Sequence, residues 1–78
     1  MRKLLVGVAR CRASQVRYYL LEGGPGSYGV QVELEDEKAG AADLSPSRRK
    51  VEALASALVR GVVTPVGLRD VVDDWLLK

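Results

Sequence analysis

Histidine, phenylalanine, isoleucine and asparagine are all missing from this chain, and cysteine occurs once. Without histidine, Ser-His and Cys-His nucleophilic catalysis is excluded. A single thiol, Cys11, forms no internal disulfide, so nothing staples this small fold, and a reducing compartment is favoured. The large rings are limited to Tyr18, Tyr19, Tyr28 and Trp75, so the core must be built from valine, leucine and alanine. No apolar run approaches the ~20 residues of a membrane span. Met1-Arg2-Lys3 ahead of the apolar run Leu4 to Ala9 has the order of a signal-peptide start. That run is too short, however, and ends in Arg10-Cys11-Arg12 rather than at a small-residue cleavage site. A cytoplasmic location, with no membrane partner, is the expectation.

The 78 residues are expected to form one domain spanning 1–78, with an apolar fraction of 47% that suits a globular chain. The net charge is +2, but its placement is uneven. Residues 1–21 hold Arg2, Lys3, Arg10, Arg12 and Arg17 and no acid, whereas Glu22, Glu33, Glu35, Asp36, Glu37 and Asp43 crowd residues 22–43. Such asymmetry marks either a nucleic-acid surface or neighbouring strands that pair by charge. Arginine outnumbers lysine eight to four, a bias of G+C-rich genomes that enriches arginine without a functional reason.

Residues 3–10, 15–22 and 28–35 read as three strands. In the third, Tyr28, Val30, Val32 and Leu34 alternate with Gly29, Gln31, Glu33 and Glu35, the period of a half-buried strand. Gly23-Gly24-Pro25-Gly26-Ser27 is the strongest turn signal. Pairing Leu20 with Val30 also pairs Tyr18 with Val32 and Val16 with Leu34, leaves a loop over 23–27, and sets Arg17 opposite Glu33 and Tyr19 opposite Gln31. A one-residue slip would turn an apolar set toward water, so this register is well specified. In the first hairpin, Val8 opposite Val16 implies Val6 opposite Tyr18, Leu4 opposite Leu20 and Leu5 opposite Tyr19, with Cys11-Arg12-Ala13 as the loop.

Residues 36–44 read as a polar linker. Ser45-Pro46 then predicts an N-cap and a first-turn proline for a helix over 46–60. Val51, Leu54, Ala55, Leu58 and Val59 form its apolar stripe, and Gly61 suits a left-handed end. Thr64-Pro65 opens a second helix over 65–77 with the stripe Leu68, Val71, Val72, Trp75 and Leu76. Val63 and Leu68 are placed to form a hydrophobic staple. The expected fold class is α+β: a three-stranded antiparallel meander with one face covered by a C-terminal two-helix hairpin, βββαα. Leu54, Leu58, Val71, Trp75, Val6, Tyr18, Val30 and Val32 are expected to pack together.

The candidate chemistry is thin. The glycine loop precedes a strand rather than a helix and carries no lysine, so it reads as a hairpin turn and not a phosphate cradle. Asp70 and Asp74, one helical turn apart, and Asp73 read as a solvated helix face rather than a metal site. Glu33, Glu35 and Glu37 read as a solvated outer strand face. Cys11 between two arginines would favour a thiolate if exposed, but it has neither a base nor a resolving cysteine. No catalytic, cofactor or metal residue is assigned, no cofactor is expected, and the chain is not expected to be an enzyme.

Tyr18-Tyr19-Leu20-Leu21, the glycine turn, Tyr28-Gly29-Val30, a serine-led helix, and Pro65 with Leu68, Asp70, Val71, Val72, Asp74 and Leu76 resemble a group of short, uncharacterised bacterial proteins, a domain of unknown function. The resemblance covers nearly the whole chain. It implies this fold and a bacterial cytoplasm, and it implies no site residue.

Strand parity sends Leu5, Tyr19 and Leu21 to the face away from the helices, with Gly7 and Ala9 beside them. A contiguous apolar cluster containing a tyrosine has the composition of an interface core. The leading expectation is therefore a non-enzymatic protein-interaction or homodimerisation domain that uses Leu5, Tyr19 and Leu21, unless the 36–44 segment folds over them. The alternative is a small nucleic-acid-binding regulator contacting its ligand through Arg2, Lys3, Arg10, Arg12 and Arg17.

Overall fold

Valine, tyrosine and leucine at every second position from Val16 to Leu20, and again from Tyr28 to Leu34, demand extended backbone with one dry face. The computed structural model, which describes residues 1–77, meets that demand with four strands rather than three. In chain order they are β1 (Arg2–Cys11), β2 (Ser14–Gly24), β3 (Ser27–Leu34) and β4 (Glu37–Ser45), followed by helices α1 (Arg48–Arg60) and α2 (Pro65–Leu76). The strands form one antiparallel sheet in the order β1-β2-β3-β4.

The β2–β3 register is the one required by the buried face: Val16 opposite Leu34, Tyr18 opposite Val32 and Leu20 opposite Val30. Arg17 lies opposite Glu33. The strands continue further than the 23–27 loop implies, with Gly24 opposite Ser27, so that Pro25-Gly26 makes the turn. Gly26 supplies the positive φ of 76° there.

The first hairpin departs from expectation. Leu4 pairs with Leu20 and Leu5 with Tyr19, but a bulge at Val6 then shifts the ladder by one. Gly7 comes opposite Tyr18, Val8 opposite Arg17 and Ala9 opposite Val16. The turn shrinks to Arg12-Ala13, with Arg12 at φ 58°, and Cys11 is the last strand residue rather than part of the loop. The bulge therefore brings Gly7 and Ala9 to the helix side and leaves Val6 and Val8 38% and 42% exposed. The reason is the approach of α1: a Cβ on Gly7 would lie 3.0 Å from Val59 Cγ2, so only a very small residue fits beneath the helix. Val6 is accordingly outside the core.

The segment over 36–44 is a strand, not a linker. It pairs Glu37 with Leu34, Ala39 with Val32 and Ala41 with Val30. Its alanines and glycine have poor strand propensity, but β3 would otherwise end in unpaired N–H and C=O groups. Ala39 and Ala41 face the helices, and their small size lets α2 settle on β4 and β3. Between Tyr28 and Val30 the ladder bulges, with Asp43 at φ 55°.

Helix α1 begins two residues later than the Ser45-Pro46 signal implies. Ser47 is its N-cap, accepting from the Lys50 N–H at 3.3 Å, while Ser45 closes β4. At the other end Gly61 is right-handed and Val62 takes φ 48°. Val62 N–H donates to Val59 O at 3.1 Å and Val63 N–H to Leu58 O at 3.0 Å, the bond pair of a Schellman motif. The glycine thus stands one residue before the position that wants it. A valine in that conformation costs about 1–2 kcal/mol. Helix α2 starts as expected, with Thr64 as its N-cap and Pro65 in the first turn.

Helix α1 lies across β1, β2 and β3. The shared core comprises Val16, Tyr18, Leu20, Val30, Val32, Val51, Leu54, Ala55, Leu58, Leu68 and Val72. Val63, Val71 and Trp75 are only partly buried against it. The Tyr18 hydroxyl, at the bottom of this core, donates to the Val63 carbonyl at 2.9 Å and ties the loop between the helices to β2. Burial, and secondarily nearby Cys11, hold that hydroxyl above the usual tyrosine range.

Candidate functional site

Both helices pack on the same side of the sheet, so its other face is where large side chains reach solvent. On that face β1 presents Lys3, Leu5 and Val8, β2 presents Arg17, Tyr19 and Leu21, and β3 presents Gln31 and Glu33. Leu5 is 58% exposed. Tyr19 is half-buried, because the Lys3 side chain crosses above it with Nζ 4.5 Å from the ring centroid. Lys3 Nζ continues to Glu33 Oε2 at 2.7 Å, and Gln31 Nε2 donates to the same oxygen at 2.6 Å. The bond to Lys3 holds the Glu33 carboxyl below its usual range, and the reciprocal bond holds the Lys3 ammonium above its own. Arg17, the ladder partner of Glu33, makes no ion pair among the described residues.

Leu21 is not exposed. It retains 6% of its surface although it stands outside the helix-side core. Its ladder partner is Gly29, where an added Cβ would run into the Ala41 carbonyl and come within 2.7 Å of Ala42 Cα. The bulged backbone of β4 thus leans over the outer side of the sheet beside Leu21. The trio of Leu5, Tyr19 and Leu21 shrinks accordingly to Leu5 and part of Tyr19. Val8 and the bulge residue Val6 join them, and Gly7 and Ala9 leave for the opposite face. Sequence reasoning missed the two valines because it assumed an unbroken ladder. The available signal was Gly7 and Ala9, two small residues at alternate positions where a helix must come close.

The five N-terminal cations divide into two sets. Lys3 is tied to Glu33, and Arg2 lies 3.7 Å from Glu22, which also binds Arg48 of α1 at 3.1 Å. Arg10, Arg12 and Arg17 are exposed and, among the described residues, unpaired. They cluster at the β1–β2 turn, but the ladder also brings Glu33 beside Arg17, and Ser14 hydrogen-bonds to Glu35 nearby.

Elsewhere the geometry offers little chemistry. The glycine loop joins two strands and borders an open cleft of about 520 Å³. Arg2 in that cleft already has its carboxylate partner. Among the described residues no group of three or more His, Cys, Asp or Glu side chains is placed to hold a metal. Asp70, Asp73 and Asp74 lie on exposed positions of α2. Cys11 is half-buried and packs against the helix-side core. No helix among the described residues is long and apolar enough to cross a membrane.

No curated protein and no solved structure matches the chain. A family model does match it, over residues 5–78, from Leu5 within β1 through the other three strands and both helices. The chain belongs to a family of unknown function, DUF6514.

Proposed function

We propose that this chain is a non-enzymatic protein-interaction domain whose contact surface is β1 with the adjoining part of the outer sheet face. The observation that carries the reading is the row Leu5, Val6 and Val8, 58%, 38% and 42% exposed on one edge strand. A solvated strand face of this size would ordinarily be polar. Apolar side chains gathered there, beside a tyrosine and rimmed by arginine, have the composition of an interface centre. The half-buried lone thiol suits a reducing cytoplasm, and the resemblance to bacterial proteins points to a bacterial one.

The test compares wild type with Leu5→Glu and Tyr19→Glu, each checked for an unchanged circular dichroism spectrum. Sedimentation across a concentration series reads self-association, and capture from the native cell reads foreign partners. The expected result is that at least one association present in wild type disappears in Leu5→Glu. A wild type that stays monomeric and retains the same proteins as both variants would overturn the proposal.

A further inference from the structure

β1 is a sheet edge, and alternate residues along an antiparallel edge strand point their N–H and C=O groups away from the sheet. Such an edge usually carries protection. Here the protection is incomplete. The bulge at Val6 interrupts the ladder but leaves Gly7–Cys11 regular and paired only with β2. That stretch contains Arg10, with Arg12 just beyond its end at Cys11, and neither arginine makes an ion pair among the described residues. Every charge on β1 is positive.

These facts select the occupant. A second copy of β1 is disfavoured: antiparallel pairing centred on Val6 would set Arg2 against Arg10, and parallel pairing would set each cation against itself. Pairing β1 of one copy with β4 of another is head-to-tail and would build a ring or a filament of many copies, which the sedimentation series above would read as concentration-dependent growth. Nucleic acid fits poorly, because Leu5, Val6 and Val8 offer nothing to phosphate, Glu33 and Glu35 would repel it, and the nearby ring of Tyr19 already lies under Lys3. What remains is a strand carrying acidic residues on an apolar backbone pattern. We propose that β1 accepts an extended acidic segment of a protein partner as a fifth strand along Gly7–Cys11. Val8 and Arg10, two residues apart on β1, share the outer face, so on that face the added strand would set an apolar side chain beside Val8 and a carboxylate beside Arg10, with a further carboxylate reaching Arg12 at the turn. This inference rests on the interaction reading above and deepens it.

The experiment is an NMR titration of the full ¹⁵N-labelled chain with the blocked synthetic octapeptide Glu-Thr-Glu-Thr-Val-Thr-Val-Thr, which, paired antiparallel to β1, sets its glutamates by Arg12 and Arg10 and a valine by Val8. Two twins of that peptide carry backbone N-methyl groups on one or the other set of alternate residues. Saturable shifts at the amides of Gly7–Cys11 are expected, weakened about tenfold or more by Arg10→Glu with Arg12→Glu. One N-methylated twin should lose binding about tenfold while the other retains it, because only one set of amides faces β1. Absence of saturable shifts at millimolar peptide would overturn the proposal. Equal binding by both twins would overturn strand addition and leave side-chain docking. A ten-nucleotide single strand binding the same residues more tightly at the same salt would overturn the acidic partner in favour of nucleic acid. Loss of association in Leu5→Glu, together with failure of the peptide, would remove this inference and leave the interaction reading standing.

Discussion

On β2 and β3, Val16, Tyr18, Leu20, Val30 and Val32 each keep no more than 1% of their surface, whereas Leu5 on β1 keeps 58%. The other edge, β4, has almost no large apolar side chains to expose: Ala39, Gly40, Ala41 and Ala42 make up its middle. Central strands in this molecule are held by what they bury, and edge strands by what packs beside them. A slip of β2 against β3 would cost an entire apolar face, so their ladder is unbroken from Val16 to Glu22 and shifts only at Gly23, beside the turn. The edges lack that penalty, and both carry a bulge. The bulge in β1 fits Gly7 under α1, and the bulge in β4 leans over Gly29. The two edges also differ from each other. Each has a helix on its inner side, α2 on β4 and α1 on β1, but on the outer side β1 exposes Leu5, Val6 and Val8 while the middle of β4 is alanine and glycine.

The contrast between centre and edge is broken most directly by truncating one side chain in each. Leu58→Ala, in the core above the central strands, should cost about 2–5 kcal/mol in denaturant unfolding. Val8→Ala should stay within about 0.5 kcal/mol. Equal losses would mean that the edge is as tightly held as the centre. Gly29→Ala probes a place where a central strand is constrained by an edge. Its new Cβ would meet the Ala41 carbonyl, and a loss of about 3 kcal/mol is expected, whereas Gly40→Ala on β4 should be far milder. Tyr18→Phe keeps the packing and removes only the bond to Val63 O, so about 1 kcal/mol should be lost.

The same tyrosine makes a prediction about pH. Its folded-state pKa is raised, so the unfolded state releases the proton first. That contribution to stability is whole below the unfolded value of about 10 and is lost as pH rises through the folded one. Tyr18→Phe should flatten this alkaline decline in thermal melts. The smallest effect belongs to Glu33 on the outer face, whose pKa is lowered by Lys3. Its contribution is present above the ordinary glutamate value of about 4.3 and is lost as pH falls through the lowered folded value. An NMR titration should find the Glu33 carboxyl below its ordinary value, and Lys3→Ala should bring it back toward that value. An unchanged Glu33 titration in Lys3→Ala would show that the bridge over Tyr19 does not form in solution.

By itself the sequence determined the elements with strong periodicity: the β2–β3 ladder from its two-residue alternation, both helices from their stripes, and the start of α2 from Thr64-Pro65, whereas the Ser45-Pro46 signal placed the start of α1 two residues early. Burial of one face makes such patterns self-specifying, because any other register exposes them. Tertiary structure alone decided the rest. Residues 37–45 became a strand because β3 needed a hydrogen-bonding neighbour and α2 needed a thin surface beneath it, and neither need is written in an alanine-rich segment. The ladder of β1 slipped at Val6 where α1 comes down on Gly7, with Val59 Cγ2 3.0 Å from where a Cβ would stand, a closeness no local pattern encodes. Val62 took the left-handed position that Gly61 appeared designed for, because the bonds from Val62 and Val63 back to Val59 and Leu58 set where the helix ends. The candidate surface moved for the same reason. Leu5 and Tyr19 were legible from parity, but Leu21 was covered and Val6 and Val8 were exposed by two bulges, and bulges are set by close approach between elements rather than by residue periodicity.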